Sequence, residues 1–269
     1  MNFELKESVT SQIHPAAHID PTARLGANVS IGAGAVIGPQ VQIGDNCKIG
    51  PHAIIHSNTI MGSDNLIYSF AAIGVDPQDI LYQNEPTWLH IGNANVIREY
   101  VSISRGSTRE SADGITAIGD KNNLLAYTHV GHDCKIGNET LMVNHAALSG
   151  HVIVDHYAII GAFSAVHQFC RVGSFSFLCR ATQVPKDVPP FMMVTGNPGC
   201  PCGLNVVGLK RHGFALSQVR GIKKAYQILY RSNYKLDQAV VELGKLVEDT
   251  PEVQMILDSI AESTRGICR

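Results

Sequence analysis

Charge is scarce in this chain. Only 16% of its 269 residues are charged, against roughly 25% in an ordinary globular protein. The 21 Lys and Arg nearly balance the 23 Asp and Glu, leaving a net charge of −2. That balance excludes a general nucleic-acid binder, which would be strongly basic. Aromatic residues are thin at 6%, so large rings do not build this core. No run approaches the ~18 uninterrupted apolar residues of a membrane-spanning helix, so no transmembrane segment is expected. The opening stretch MNFELKESVT carries Glu4 and Glu7 and no apolar run, which is not the pattern of a secretory signal. Cysteines number seven, an odd count, and none form C-x-x-C. Free thiols in a reducing cytoplasm are the expectation. Cys200 and Cys202 stand too close together for half of a zinc knuckle. Glycine, by contrast, is plentiful at 25 residues. Together these features fit close backbone packing or large buried contacts between subunits.

What is present is a repeat. Every sixth residue from Ile13 is aliphatic or Met: Ile13, Ile19, Leu25, Ile31, Ile37, Ile43, Ile49, Ile55, Met61, Ile67, Ile73. The residue four places later is small in every hexad but one, where Asn65 breaks the column. The pattern pauses near 75–88, returns at Ile91, Ile97 and Ile103, and pauses again near 104–117. It resumes at Ile118 in a shifted register and holds for twelve hexads to Val184. A period of six fits neither a helix nor a plain strand; it describes a short strand and a sharp corner, repeated. Three hexads close a triangular coil, so equivalent positions recur every 18 residues, and aliphatic side chains stack inside. Glycine and asparagine suit the corners, where unusual φ is needed. The predicted fold is mainly β, a parallel β-helix of hexapeptide type; known prisms of this type are left-handed. It spans 1–195, and the two pauses are loop insertions, a length of loop that usually has a function. The prism ends near Val188–Pro190. A C-terminal α-helical cap follows over 196–269, with three helices at Leu216–Ser232, Leu236–Glu248 and Pro251–Ser263.

The 18-residue coil turns sequence into geometry. His132, Gly150 and Gln168 fall in one vertical column, and Asp133, His151 and Phe169 in the next. Successive coils lie about 4.8 Å apart, so these groups crowd one patch, flanked by His129 and His167. A histidine beside a carboxylate is a general base near neutral pH. A glycine one coil away offers a bare N–H to an oxyanion. The set suits acyl transfer to a hydroxyl; the alternative is that outward histidines line a subunit contact.

Competing patterns are weaker. His151 and His156 have the HxxxxH spacing of hexapeptide-type zinc enzymes, but Thr116 and Ala117 stand where a third histidine would be needed, so no metal is expected. His14 and His18 share the spacing in the first coil and read as capping. The glycines around Gly32–Gly38 belong to the repeat rather than to a nucleotide loop. Lys210, Arg211, His212, Arg220, Lys223 and Lys224 form a basic stretch where prism meets cap, either a solvated face or a site for an anionic partner.

Several motifs carry a resemblance: His129–Cys134 (HVGHDC), Gly150-His151, Val166-His-Gln-Phe169, Asp187-Val-Pro-Pro190, Asn205 with Gly208-Leu-Lys-Arg211, and Ser263-Thr-Arg-Gly266. Over essentially its whole length the chain resembles the acyl-carrier-protein–UDP-N-acetylglucosamine O-acyltransferases, which begin lipid A synthesis. The resemblance implies a homotrimer with active sites between neighbouring prisms. His132 would be the general base, Asp133 its orienting carboxylate and the Gly150 N–H the oxyanion donor. Asp79, His129, His151, His167, Gln168, Asn205 and Arg211 would contact substrates. The donor would be an (R)-3-hydroxyacyl chain on acyl-carrier protein, which brings its own phosphopantetheine, with no further cofactor.

The chain departs from the family pattern at four places. Ile80 and Leu81 follow Asp79 where the family has leucine and lysine. Val207 replaces a glutamate, His212 an arginine, and Cys179-Arg180 stand where small glycines often border the acyl groove. Arg180 projects outward in its column, toward a neighbouring subunit and the acyl chain. A 3-amino analogue of the sugar, or a coenzyme A donor, is the alternative chemistry.

Overall fold

The computed structural model describes residues 12–109 and 113–269; the reading of Met1–Thr10 lies outside them. Hexads fold as two-residue strands ending on the repeat aliphatic, as at Ser30–Ile31, Val36–Ile37 and Gln42–Ile43. A β-strand sends successive side chains to opposite faces, so the aliphatic points in and its predecessor points out. Coil stacks on coil in the predicted register: Ile31 pairs with Ile49, Ile37 with Ile55, Ile43 with Met61. Three parallel sheets of nine, eight and ten strands close the prism, with an antiparallel strand added at the end of the last. Along one of them Ile37, Ile55, Ile73, Ile103, Val130, Leu148 and Val166 are fully buried. Burying each stabilises by roughly 1.5–3 kcal/mol.

Asn65, the break in the small-residue column, proves to be structural. It is buried; its Nδ2 donates to the Gly62 and Gly92 carbonyls at 2.9 and 2.8 Å. Its Oδ1 accepts from the Asn95 backbone N–H at 2.9 Å, and Asn95 in turn accepts from the Asn122 N–H at 2.8 Å. A buried amide is tolerated because both its ends are satisfied.

The corners differ from expectation. Left-handed φ values are adopted by aromatic residues and histidine as well as by glycine and asparagine: His52, Phe70, Tyr100, Tyr127, His145 and Phe163 lie between 57° and 64°. That conformation costs a residue with a Cβ about 1–2 kcal/mol. These six rings stack up one edge with centroids 4.7–5.4 Å apart, and such pairs return about 0.5–1.5 kcal/mol each. Much of the small aromatic complement is therefore on an outer edge, about half exposed.

Both insertions are where the broken period placed them. Ile91 pairs with Met61 and with Ile118, spacings of 30 and 27 residues. The strands that close them, Trp88–Ile91 and Ile115–Ile118, are four residues long.

The prism runs beyond Val188–Pro190. Met192–Thr195 continues it, Phe177 pairing with Met193, and Cys200–Leu204 turns back antiparallel against that strand. Leu178 pairs with Val194, so the last coil is two residues short and a count of six loses it. The cap holds four helices rather than three. α1 (Val206–Arg211) precedes α2 (Leu216–Arg231), α3 (Leu236–Gly244) and α4 (Val253–Glu262). α3 stops at Gly244, a poor helix former, four residues short of the predicted end. The C-terminal segment returns to the prism: Ile267 bridges Asp187, and the Ser263 hydroxyl donates to the Asp187 carboxylate at 2.5 Å. All seven cysteines are thiols. Burial pushes the Cys134 and Cys170 thiols up to about 12, so neither is a ready nucleophile.

Candidate active site

Asp133 sits at a prism corner with φ of 60°, and its side chain is almost wholly buried. His132 precedes it, and the two meet: His132 Nδ1 lies 2.7 Å from Asp133 Oδ2. Burial pushes the Asp133 carboxyl up. The hydrogen bonds from His132 and Ser107 and the nearby His151 outweigh burial and hold it below the usual carboxylate range. An ionised carboxylate only accepts, so the His132 proton resides on Nδ1 and the lone pair on Nε2. That is the tautomer of a base.

The second insertion fixes this carboxylate. The Ser107 N–H donates to both Asp133 oxygens at 2.8 and 3.0 Å, and its hydroxyl to Oδ2 at 2.7 Å. Thr116 Oγ1 accepts from the Asp133 N–H at 2.8 Å. Neither Ser107 nor Thr116 follows from the 18-residue count. Arg105, two residues before Ser107, is buried and fastens the first insertion: it donates to the Gly74 carbonyl at 2.8 Å and to the Tyr82 hydroxyl at 3.2 Å, and pairs with Asp76. Between them a Cβ on Gly106 would lie 2.2 Å from backbone Gly114, so only glycine fits. The tripeptide Arg105-Gly106-Ser107 thus ties one loop to the other and both to Asp133.

Gly150 lies under the His132 ring, as the column predicts. A Cβ there would be 2.6 Å from His132 Cε1 and Nε2. No group of the described residues accepts from the Gly150 N–H, which leaves a backbone donor beside the base. His151 stacks on Phe169 at 4.5 Å and meets the His132 ring edge-on at 5.2 Å, with its Nε2 3.6 Å from Asp133 Oδ2. His129 Nδ1 is 2.8 Å from Ser102 Oγ. Burial, then the neighbouring His132, lowers its pKa, so it is neutral at physiological pH. Two adjoining clefts of about 290 and 340 Å³ open over the group. Asp79, His151 and Gln168 line one; His129, Gly150 and Gln168 line the other; His132 lines both.

Other expected site residues lie elsewhere in the chain. His167 faces a separate cleft of about 240 Å³ with Gln183 and Asn197. Arg180 is exposed at the corner before Ala181. Asn205 is the N-cap of α1, accepting from the Gly208 N–H and donating to the Phe175 carbonyl, each at 3.0 Å. Arg211 is exposed in the last turn of α1, and His212 beside it packs on Tyr157 at 4.6 Å. None of these lines the His132 clefts of the same chain. His156 accepts from the Asn138 N–H at 2.9 Å. Donor atoms of His132, Asp133 and His151 lie within 4.8 Å of one another. The Asp133 oxygens already accept from Ser107 and face His132, so the donor set is that of a hydrogen-bonded dyad.

Comparison with known proteins agrees with this geometry. Residues 40–74 match the bacterial transferase hexapeptide family, and residues 187–268 match the second domain of the UDP-N-acetylglucosamine O-acyltransferases. The acyl-[acyl-carrier-protein]–UDP-N-acetylglucosamine O-acyltransferase of Alkalilimnicola ehrlichii is 51% identical over 259 residues, 96% of this chain and 100% of the relative. That of Pseudomonas aeruginosa PAO1 is 49% identical over the same shares. The solved UDP-N-acetylglucosamine acyltransferase of Francisella novicida superposes with a TM-score of 0.93 at 39% identity, covering 96% of this chain and 94% of that one. The Moraxella catarrhalis O-acyltransferase gives 0.92 at 40% identity, covering 96% and 99%. The prism is thereby the left-handed parallel β-helix of these enzymes. Half its residues shared over nearly the full length of both chains, the protein belongs to the acyl-[acyl-carrier-protein]–UDP-N-acetylglucosamine O-acyltransferase family.

Proposed function

We propose that this protein transfers an (R)-3-hydroxyacyl group from acyl-carrier protein to the 3-hydroxyl of UDP-N-acetylglucosamine, opening lipid A synthesis in the cytoplasm. The observation that carries the reading is the His132 Nδ1–Asp133 contact of 2.7 Å, with the other edge of the ring over Gly150. His132 Nε2 takes the proton of the sugar hydroxyl as its oxygen attacks the thioester carbonyl. Asp133 stabilises the imidazolium that forms. The carbonyl electrons move to oxygen, where the Gly150 N–H meets the charge. Collapse breaks the carbon–sulfur bond, and the departing thiolate takes the proton from His132. Phosphopantetheine remains on the carrier, and no other cofactor enters. The test is purified enzyme with labelled UDP-N-acetylglucosamine and a panel of 3-hydroxyacyl carrier proteins. A 3-O-acyl product supports the reading; turnover only with acyl-coenzyme A refutes it, and turnover only with the 3-amino sugar reassigns the acceptor.

The working unit is a homotrimer. Ile80 is 99% exposed beside the cleft, and the stacked aromatic edge is about half exposed. Apolar surface of this kind is normally covered by a partner. A neighbouring prism would also bring its own His167, Arg180, Asn205 and Arg211 toward a cleft they do not line within one chain. Light scattering is expected to give three times the 29.0 kDa chain mass; a monomer at micromolar concentration would refute it.

Arg180 limits acyl length. Its guanidinium occupies an exposed corner that this trimer would place along the acyl groove. Each further methylene buried is worth about 0.8 kcal/mol, and a blocked groove forfeits it for every carbon past the block. Arg180→Gly, assayed with a homologous series of 3-hydroxyacyl donors, is expected to move the preference to longer chains. An unmoved preference would mean that Arg180 pairs across the interface instead.

A further inference from the structure

Facing His132 across its cleft are one charged side chain from each insertion, Asp79 from the first and Arg109 from the second. Arg109 Nη2 donates to the Leu81 carbonyl, fastening the second loop to the first. Its Nε is 3.9 Å from both Asp79 Oδ2 and Glu85 Oε1. That is beyond hydrogen-bond distance, and the atom is buried with no hydrogen-bond partner. A guanidinium has five N–H donors; among the described residues only the Leu81 carbonyl accepts from this one. Leu81 itself contributes an apolar side chain, 55% exposed.

A guanidinium and a carboxylate separated by slightly more than a direct bond suit a ligand group that accepts from one and donates to the other. A sugar hydroxyl does both, and a pyranose ring presents several side by side. We propose that Arg109, working with Asp79, holds the hydroxyls of the acceptor sugar beyond the reacting one, the C4 hydroxyl first, and so reads their configuration. The inference rests on the reaction proposed above. With the C3 hydroxyl at His132 Nε2, the C4 hydroxyl is its neighbour on the side away from the acetamido group. Arg109 would then be a specificity-determining residue supplied by the loop rather than by the prism.

The experiment uses the full-length enzyme, Arg109→Met and Arg109→Lys, assayed with UDP-N-acetylglucosamine and its 4-epimer, UDP-N-acetylgalactosamine, and with UDP as a competitive inhibitor. Losing a hydrogen bond from a charged group is expected to raise the KM for UDP-N-acetylglucosamine in Arg109→Met about tenfold or more. The preference over the 4-epimer should narrow by a similar factor. The KM for acyl-carrier protein and inhibition by UDP, which lacks the sugar, should stay within about twofold of wild type on that tenfold scale. The lysine variant should fall between, and decides the same ratios if the methionine variant does not fold. An unchanged epimer preference, or UDP binding weakened as much as the sugar nucleotide, would overturn the assignment and leave Arg109 as a tie between loops. Wild-type enzyme that acylates neither sugar nucleotide would instead refute the proposed reaction.

Discussion

His132→Ala is expected to lower kcat/KM for acyl transfer by at least about 10²- to 10⁴-fold, the range for a positioned general base. The fold should survive, because Asp133 keeps its three hydrogen bonds from Ser107 and the Thr116 contact to its own N–H. The ring also covers little of the core: Val130 and Cys134, buried on either side, belong to the repeat rather than to the cleft. Loss of activity with an unchanged oligomer by light scattering and an unchanged melting curve is the predicted pair of results. Activity within tenfold of wild type would remove His132 from the role of base, whatever its geometry.

Gly150→Ala is the more discriminating change, since it removes no functional group. The added methyl would sit 2.6 Å from the edge of the His132 ring, a separation that the imidazole must relieve by swinging away. Gly150 does not adopt a left-handed φ, so alanine meets no backbone strain there. A misplacement of about 1 Å at a reacting group can cost on the order of 10² in rate. Turnover is therefore expected to fall about 100-fold while thermal unfolding stays close to wild type. Should the variant retain full activity, neither the ring position nor the Gly150 N–H matters to the chemistry. A large loss of stability would show that the position matters for packing instead.

How much of this was legible in the sequence follows from how a solenoid maps sequence onto space. Where coils keep an 18-residue spacing, addition predicts neighbours: His132, Gly150 and Gln168 share a column, and His151 does stack on Phe169. The count fails once loops intervene. Ser107 is 26 residues from Asp133 and Thr116 is 17 away, because the insertion between them belongs to no hexad. Arg109 reaches the cleft by the same irregular route. α1 was invisible for another reason: six residues carry too little periodicity, and its clearest signal, the Asn205 cap, reads equally well as a substrate ligand. The corner aromatics carried no helical or strand period either. Their meaning lies in the column, where rings 18, 30 or 27 residues apart come face to face.

The two loops are also cheap in entropic terms. Lengthening a closed coil from 18 residues to 30, or to 27, adds only about 0.4 kcal/mol of closure entropy in each instance. The coils above and below keep their register, since each contacts only its neighbours. Asp133 comes from the rigid stack, whereas Asp79 and Arg109 come from these inexpensive detours. Chemistry and substrate choice are thereby carried on separate parts of the chain. A dozen loop residues can be exchanged, by natural drift or by grafting, to change the sugar that is accepted while the stack that holds the base is left untouched.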